Sequence, residues 1–374
     1  MTIDEVSPFE RPNVAVTLSS LRDATPRTLT ELTHSTGLSR PTVEDALARL
    51  IELGVVEDGA PAARAGKVGR PARLYRFRPE AGAVLGLDIG EHRIVALLAN
   101  LTGATLARVS VPVAAAASGD ERLALVRTAI RKVLAGADRD RSHLWAAAAG
   151  TSGIVDPDGR VVLSHVLPDW TGRHLGSQLR RSLPCPVRVE NDANLAAVAE
   201  HWRGVAVGVD DVVYVHASHR LGAGMLIGGR LHRGFGGAAG EVGGLRMLHW
   251  DEAARYLTHQ VHNADGEDRD DAAERVFAAA RAGDPAAIEA VEEFAHDLAS
   301  GIAAMVLTVD PELVVVGGRV ARAADVISDP VERRLRALCV RPPRVAVSIL
   351  DDEAVALGAV RAAISYVEEH IFRL

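Results

Sequence analysis

Apolar residues recur at helical spacing through the N-terminal stretch. Val14, Leu18 and Leu21 share one face of a first helix that ends near Asp23-Ala24-Thr25-Pro26. A second helix, roughly Thr28 to His34, turns Leu29 and Leu32 inward, and Ser35-Thr36-Gly37 reads as a short turn. Ser39 caps a third helix, with Pro41 in the first turn, where a missing N–H costs nothing. That helix buries Val43, Ala46, Leu47 and Leu50, and Arg40, Thr42, Glu44 and Asp45 fall nearer its exposed start. Gly54 closes it and Val55-Val56 opens a strand. Leu74-Tyr75-Arg76-Phe77-Arg78 then alternates apolar and basic, the pattern of a half-exposed strand.

From Ala81 the pattern becomes glycine-punctuated α/β. Val84–Ile89, Ile94–Ala99 and Thr105–Val113 predict successive strands, followed by a helix over about Glu121–Leu134. Further strands are expected at Leu144–Ala149, Val187–Glu190, Val212–Ala217, Gly224–Ile227, Leu313–Val316 and Val345–Leu350. Helices are expected over roughly Glu252–His262, Asp271–Ala282 and Pro285–Leu307, and from Glu353 onward. The acidic stretch Asp265–Asp271 reads as a solvated loop. Two segments look alike: Leu87 to Arg93 and Ala217 to Gly222 each sit in a strand–turn–strand unit. Two related lobes, each offering one turn to a shared cleft, would explain the likeness.

Composition narrows the class. A chain of 374 residues is expected to form two or three cores. No apolar run reaches the ~18–20 residues of a membrane span, and the start lacks the pattern of a signal peptide, so a cytoplasmic protein is expected. Cys185 and Cys339, far apart and outside any CxxC spacing, exclude a disulfide scaffold and a cysteine-rich zinc site. The net charge is −7, yet Gly59–Pro79 holds Arg64, Lys67, Arg70, Arg73, Arg76 and Arg78 with no acid. A basic hairpin directly after a helix–turn–helix is the winged form of the DNA-reading motif. Ser39, Arg40, Thr42 and Glu44 would face bases in the major groove. Lys67, Arg70 and Arg73 would contact DNA from the wing, where arginine is drawn to a narrow minor groove.

The combination resembles the ROK family of repressors, open reading frames and sugar kinases, over essentially the whole length. The N-terminal part, with Gly69-Arg70-Pro71-Ala72, is similar to the winged helix of ROK repressors. The C-terminal part carries Glu190-Asn191-Asp192-Ala193-Asn194 and Gly236-Gly237-Ala238-Ala239-Gly240-Glu241-Val242-Gly243. Leu167-Pro168-Asp169-Trp170, Val316-Gly317-Gly318 and Ala356-Leu357-Gly358-Ala359 support the match. The resemblance implies an α/β chain: a winged helix-turn-helix over 1–80, then a two-lobed actin/hexokinase-like (ribonuclease H-like) domain over 81–374. Its lobes would span roughly 81–190 plus the C-terminal helix, and 191–350. Asp192 falls on the position of the kinases' catalytic base, and Asn191 and Glu241 fall on sugar-contacting positions, with Gly153 beside them. Asn191 or Asp192 would equally cap the helix that follows.

The phosphate-binding turns depart from the kinase pattern. Asp88-Ile89-Gly90 continues as Glu91-His92 where the kinases have Gly-Thr, and Ser218-His219-Arg220 replaces Gly-Thr-Gly. Glu91 at ~4 Å from a phosphate, in an effective dielectric of ~20, would cost about 4 kcal/mol. Such a penalty weakens ATP roughly a thousandfold. Arg93 and Arg220 are cations that could hold an anion directly. Gly244 takes the place of the zinc-ligating His, the cysteine segment is absent, and Val166 replaces an Asn. The expectation is therefore a regulator, read as a repressor of sugar genes, with Asp192 a vestigial base and no cofactor or metal. Its partners would be operator DNA, a sugar or sugar-phosphate effector, and further copies in a homodimer or homotetramer. The alternatives are a bifunctional ATP-dependent sugar kinase and a ligand-independent DNA-binding protein.

Overall fold

The computed structural model describes residues 11–59, 72–218, 220–250, 253–258 and 269–373. At the N-terminus, α1 (Pro12–Ser19), α2 (Leu29–Thr36) and α3 (Arg40–Glu52) enclose Leu18, Leu32, Val43, Leu47 and Leu50. A small sheet of β1 (Arg27–Thr28), β2 (Val56–Gly59) and β3 (Leu74–Phe77), in the order β1-β3-β2, completes this module. Local chemistry sets the helix ends. Thr28 and Glu31 form a reciprocal capping box on α2, and Gly37 ends that helix at φ +69°. Ser39 accepts from the Thr42 N–H at the head of α3. Lys67 and Arg70, expected at the wing tip, lie outside the described residues.

The remainder is built on two five-stranded sheets. The first comes from β4 (Ala83–Ile89), β5 (Arg93–Asn100) and β6 (Thr105–Pro112), with α4 (Gly119–Gly136) leading to β7 (Leu144–Thr151). The short hairpin β8 (Ile154–Val155) and β9 (Val161–Leu163) and helix α5 (Leu175–Arg180) precede β10 (Val187–Asn191), and α6 (Asp192–Arg203) follows. The second sheet comes from β11 (Val212–Ala217), β12 (Leu221–Ile227) and β13 (Arg230–Leu231). After α7 (Arg255–Thr258), α8 (Arg269–Arg281) and α9 (Pro285–Val309) come β14 (Leu313–Gly317), α10 (Ala324–Leu338) and β15 (Arg344–Val347). Helix α11 (Ala354–Tyr366) and the π-turn Val367–Ile371 end the described chain.

The likeness of the two turns extends to whole sheets. Their orders are β6-β5-β4-β7-β10 and β13-β12-β11-β14-β15. In both, the first hairpin strand pairs antiparallel with the second, and the second with the third, while two later strands add in parallel. Helices α6 and α11 pack against each other, α11 covering the first sheet and α6 reaching the second. Glycines permit this approach: a Cβ on Gly358 of α11 would overlap the Leu195 carbonyl oxygen of α6.

Three differences from expectation have local reasons. The acidic stretch is not loop throughout, because α8 begins inside it at Arg269. Helix α10 has no counterpart in the sequence pattern, since Pro330 lies inside it, yet Ile327, Val331 and Leu335 bury one stripe at four-residue spacing. The strand expected to run to Leu350 stops at Val347, and the next side chain, Ser348, turns its hydroxyl to the buried Glu200 carboxylate. Among the described residues no helix is long and apolar enough to cross a membrane.

Candidate functional site

Among the described residues, two places carry the chemistry expected of the chain. The first is the head of α3, where Ser39, Arg40 and Glu44 are exposed and Thr42 is half-buried. The Ser39 and Thr42 hydroxyls lie 2.7 Å apart, and Arg40 Nε donates to Glu44 Oε1 at 3.0 Å. This i,i+4 pair aims both side chains outward on one face. The basic strand β3 is less free than its sequence suggests. Antiparallel pairing sets β3 against β2, so Arg76 meets Glu57 at 2.5 Å and Arg73 meets Asp58 at 3.3 Å.

The second is a cavity of about 170 Å³ between the β4–β5 turn, the β11–β12 turn, the start of α6 and the head of α11. Asp88, Glu91, Arg93, Asp192, Arg220, Arg319 and Asp352 are among its walls. The fully buried Arg122 donates from Nη1 to the Gly90 and Glu91 carbonyls at 2.5 and 3.0 Å, which fixes the first turn. Asp88 is pushed up to about 7, first by burial and then by the Asp192 charge, with Arg93 opposing. Asp352 is held below the usual carboxylate range, chiefly by its hydrogen bond from Arg93. That ion pair is 2.5 Å long.

The expected ligand residues are placed unequally. Asp192 is on the cavity wall, its Oδ1 accepting from the Ala193 N–H at 2.8 Å. Asn191 caps α6, accepting from the Asn194 N–H at 3.0 Å, and its Nδ2 donates to the Gly153 carbonyl at 3.1 Å. Glu190 anchors this motif from behind, taking the Asn191 N–H and Asn194 Nδ2 at 3.0 Å and pairing with Arg233. Glu241 is exposed, heading the turn Val242–Gly244 rather than lining the cavity. Both Arg93 and Arg220 reach the wall, and His219 lies outside the described residues. Sequence reasoning missed Tyr214, His216, Arg319 and Asp352, which line the cavity from strands and turns distant in the chain. A Cβ on Gly244 would meet open space, and no cluster of three His, Cys, Asp or Glu capable of holding a metal occurs among the described residues.

Residues 84–255 and 253–365 match the ROK family, and residues 18–59 match the IclR helix-turn-helix domain. The chain belongs to the ROK family. This ROK protein is 25 % identical to a xylose repressor of Caldicellulosiruptor bescii, over 94 % of the present chain and 95 % of that protein. It is 26 % identical to a glucokinase of Halalkalibacterium halodurans, over 73 % and 92 % of the two chains. Among solved structures, a ROK family transcriptional regulator homologous to the Escherichia coli MLC protein superposes with a TM-score of 0.76 at 20 % identity. That superposition covers 96 % of this chain and 97 % of the other, a span that takes in the N-terminal module. A ROK glucokinase of Streptomyces griseus, in complex with glucose and AMPPNP, gives a TM-score of 0.61 at 26 % identity, over 76 % and 100 % of the chains.

Proposed function

We propose that this ROK protein is a DNA-binding repressor of sugar-metabolism genes whose operator affinity is set by a sugar or sugar phosphate in the cleft. One observation carries the reading: an exposed reading helix is joined to a kinase-like cleft whose phosphate turns hold Glu91, His92 and Arg220. Glu91 and His92 stand where the kinases' turn lets backbone N–H groups cradle a nucleotide's phosphate chain, so in this reading Asp192 serves ligand binding rather than ATP chemistry. The xylose-repressor relative, matching over nearly its full length, supports the same reading. Residues 1–80 would form the DNA module and 81–374 the sensing body, acting in the cytoplasm as a homodimer or homotetramer. Symmetry supplies paired reading helices for half-sites about one helical turn apart.

The fold offers a route between the two ends. Ala354 and Val355 at the head of α11 line the cavity. Beyond its far end, Glu368 pairs with Arg22 of the DNA module at 2.6 Å, and Phe372 packs edge-on against Phe77 with ring centroids 6.2 Å apart. A ligand with different affinities for two placements of α11 would shift the DNA module with it.

Selection of random duplexes by the purified full-length chain tests the first half. A palindromic site should emerge at near-physiological salt, and Arg40→Ala should relax it at one base position. Weak, sequence-independent capture that disappears with salt would sink the reading. Sugar-dependent ATP turnover abolished by Asp192→Asn would establish the kinase instead.

A further inference from the structure

The head of α11 carries an ion cluster in which Arg93, a candidate anion holder, is already engaged by a carboxylate of the chain. Asp352 sits on the short turn Asp351–Glu353, its Oδ2 facing Arg93 Nη1 at 2.5 Å and Arg322 Nη2 at 3.4 Å. Arg93 belongs to β5 of the first sheet. Arg322 and Arg319 belong to the turn Arg319–Ala323, which follows β14 of the second sheet, and Arg319 adds its charge to the same carboxylate. One carboxylate therefore bridges cations from both sheets at the cavity's edge. Arg93 and Asp352 are each about one-third exposed, 32 %. Ion pairs open to solvent hold weakly, so a better anion can displace this one.

The cavity wall divides by chemistry. Asp88 and Asp192 at one side suit hydroxyl groups, which donate to carboxylates. Arg93, Arg220 and Arg319 suit a phosphate, which takes paired N–H donors from guanidinium groups. Tyr214 lies in the same wall with its buried hydroxyl unpartnered, a donor still to be satisfied.

Resting on the sugar-responsive reading above, we propose that the Arg93–Arg319–Arg322 cluster is a binding site for a phosphate monoester, and that Asp352 is its built-in competitor. In the described state the Asp352 carboxylate stands where the ligand's phosphate would bind. A phosphorylated, hydroxyl-rich ligand evicts it, leaves the turn that leads into α11 held by the Glu353–Arg108 pair at 2.5 Å, and so acts on the helix that reaches the DNA module.

Isothermal titration of the full chain with inorganic phosphate and with a hexose 6-phosphate, at ionic strength fixed with chloride, tests the site. Asp352→Asn should bind both about tenfold or more tightly than the parent, because the competing charge is gone. Asp352→Glu keeps the competitor and should stay weak. Adding Arg93→Gln to Asp352→Asn should remove the gain. Thermal unfolding of each variant, and of Asp352→Ser as a second neutral substitution, verifies folding. Equal phosphate affinity in the parent and both folded neutral variants overturns the proposal, as does a gain that survives Arg93→Gln. Tightening for inorganic phosphate alone shows a phosphate site without a sugar-phosphate ligand, overturning the monoester assignment. Unphosphorylated hexoses titrated into the parent test the sugar reading separately, and their failure leaves the phosphate result standing.

Discussion

Asp88 is the penultimate residue of β4, with its carboxyl buried near the Asp192 charge. An acid raised from 3.8 to about 7 binds its proton more tightly in the folded chain than in the unfolded one. The contribution of this group to folding is therefore fully present below pH ~4 and is lost as the pH climbs through about 7. Asp88→Asn removes the dependence. At pH 8 the variant should exceed the parent in unfolding free energy by on the order of 2–4 kcal/mol, and at pH 4 the two should nearly coincide. Denaturant unfolding at both pH values is the check, and a gap that does not change with pH refutes the assignment. At the other site, Arg40→Ala should cost about 1–3 kcal/mol against one base pair and leave other positions unaffected, as read by competition between single-base operator variants. The local roles of Ser39 and Gly37 were legible because a cap and a left-handed turn depend on immediate neighbours.

Helices and strands repeat this lesson at larger spacing. The hairpins β4–β5 and β11–β12 were legible from short apolar runs punctuated by glycine and polar turns, and α3 from a single apolar stripe. Helix α10 was hidden by Pro330, since a proline normally ends a helix and only tertiary packing of Ile327, Val331 and Leu335 offsets it. Helix α11 depends on small residues at its crossing with α6. Gly358→Ala would force its Cβ into the Leu195 backbone, and overpacking of this kind costs about 1–3 kcal/mol. Thermal unfolding should show a lowered midpoint for Gly358→Ala. Gly244→Ala, where the added Cβ meets open space, should leave the midpoint nearly unchanged. Equal midpoints for the two variants would mean that the α6–α11 crossing has room to spare.

At the scale of the molecule, two sheets of identical topology bracket α6 and α11, and the DNA module is moored to the end of α11. Arg22 lies over the Phe77 and Phe372 rings at 5.1 and 5.4 Å while it pairs with Glu368. If α11 transmits the state of the cleft, substitutions at its two ends must be energetically coupled. Operator affinity measured for Asp352→Asn, Glu368→Gln and the double variant should depart from additivity by about 0.5–2 kcal/mol. Strict additivity would mean that the cleft and the DNA module act independently.

The sequence by itself determined the winged helix-turn-helix, most of the strands and helices of the body, and the ROK relationship. These follow from short-range rules: capping, apolar period and the residue types of contiguous motifs. Tertiary structure alone decided which charges meet. Glu57 neutralises Arg76 because β2 and β3 pair, Asp352 faces Arg93 because α11 starts against the first sheet, and Arg22 finds Glu368 because the chain's two ends converge. Each such pair is too weak to direct folding, so the stronger burial of the apolar core places it and no local pattern announces it.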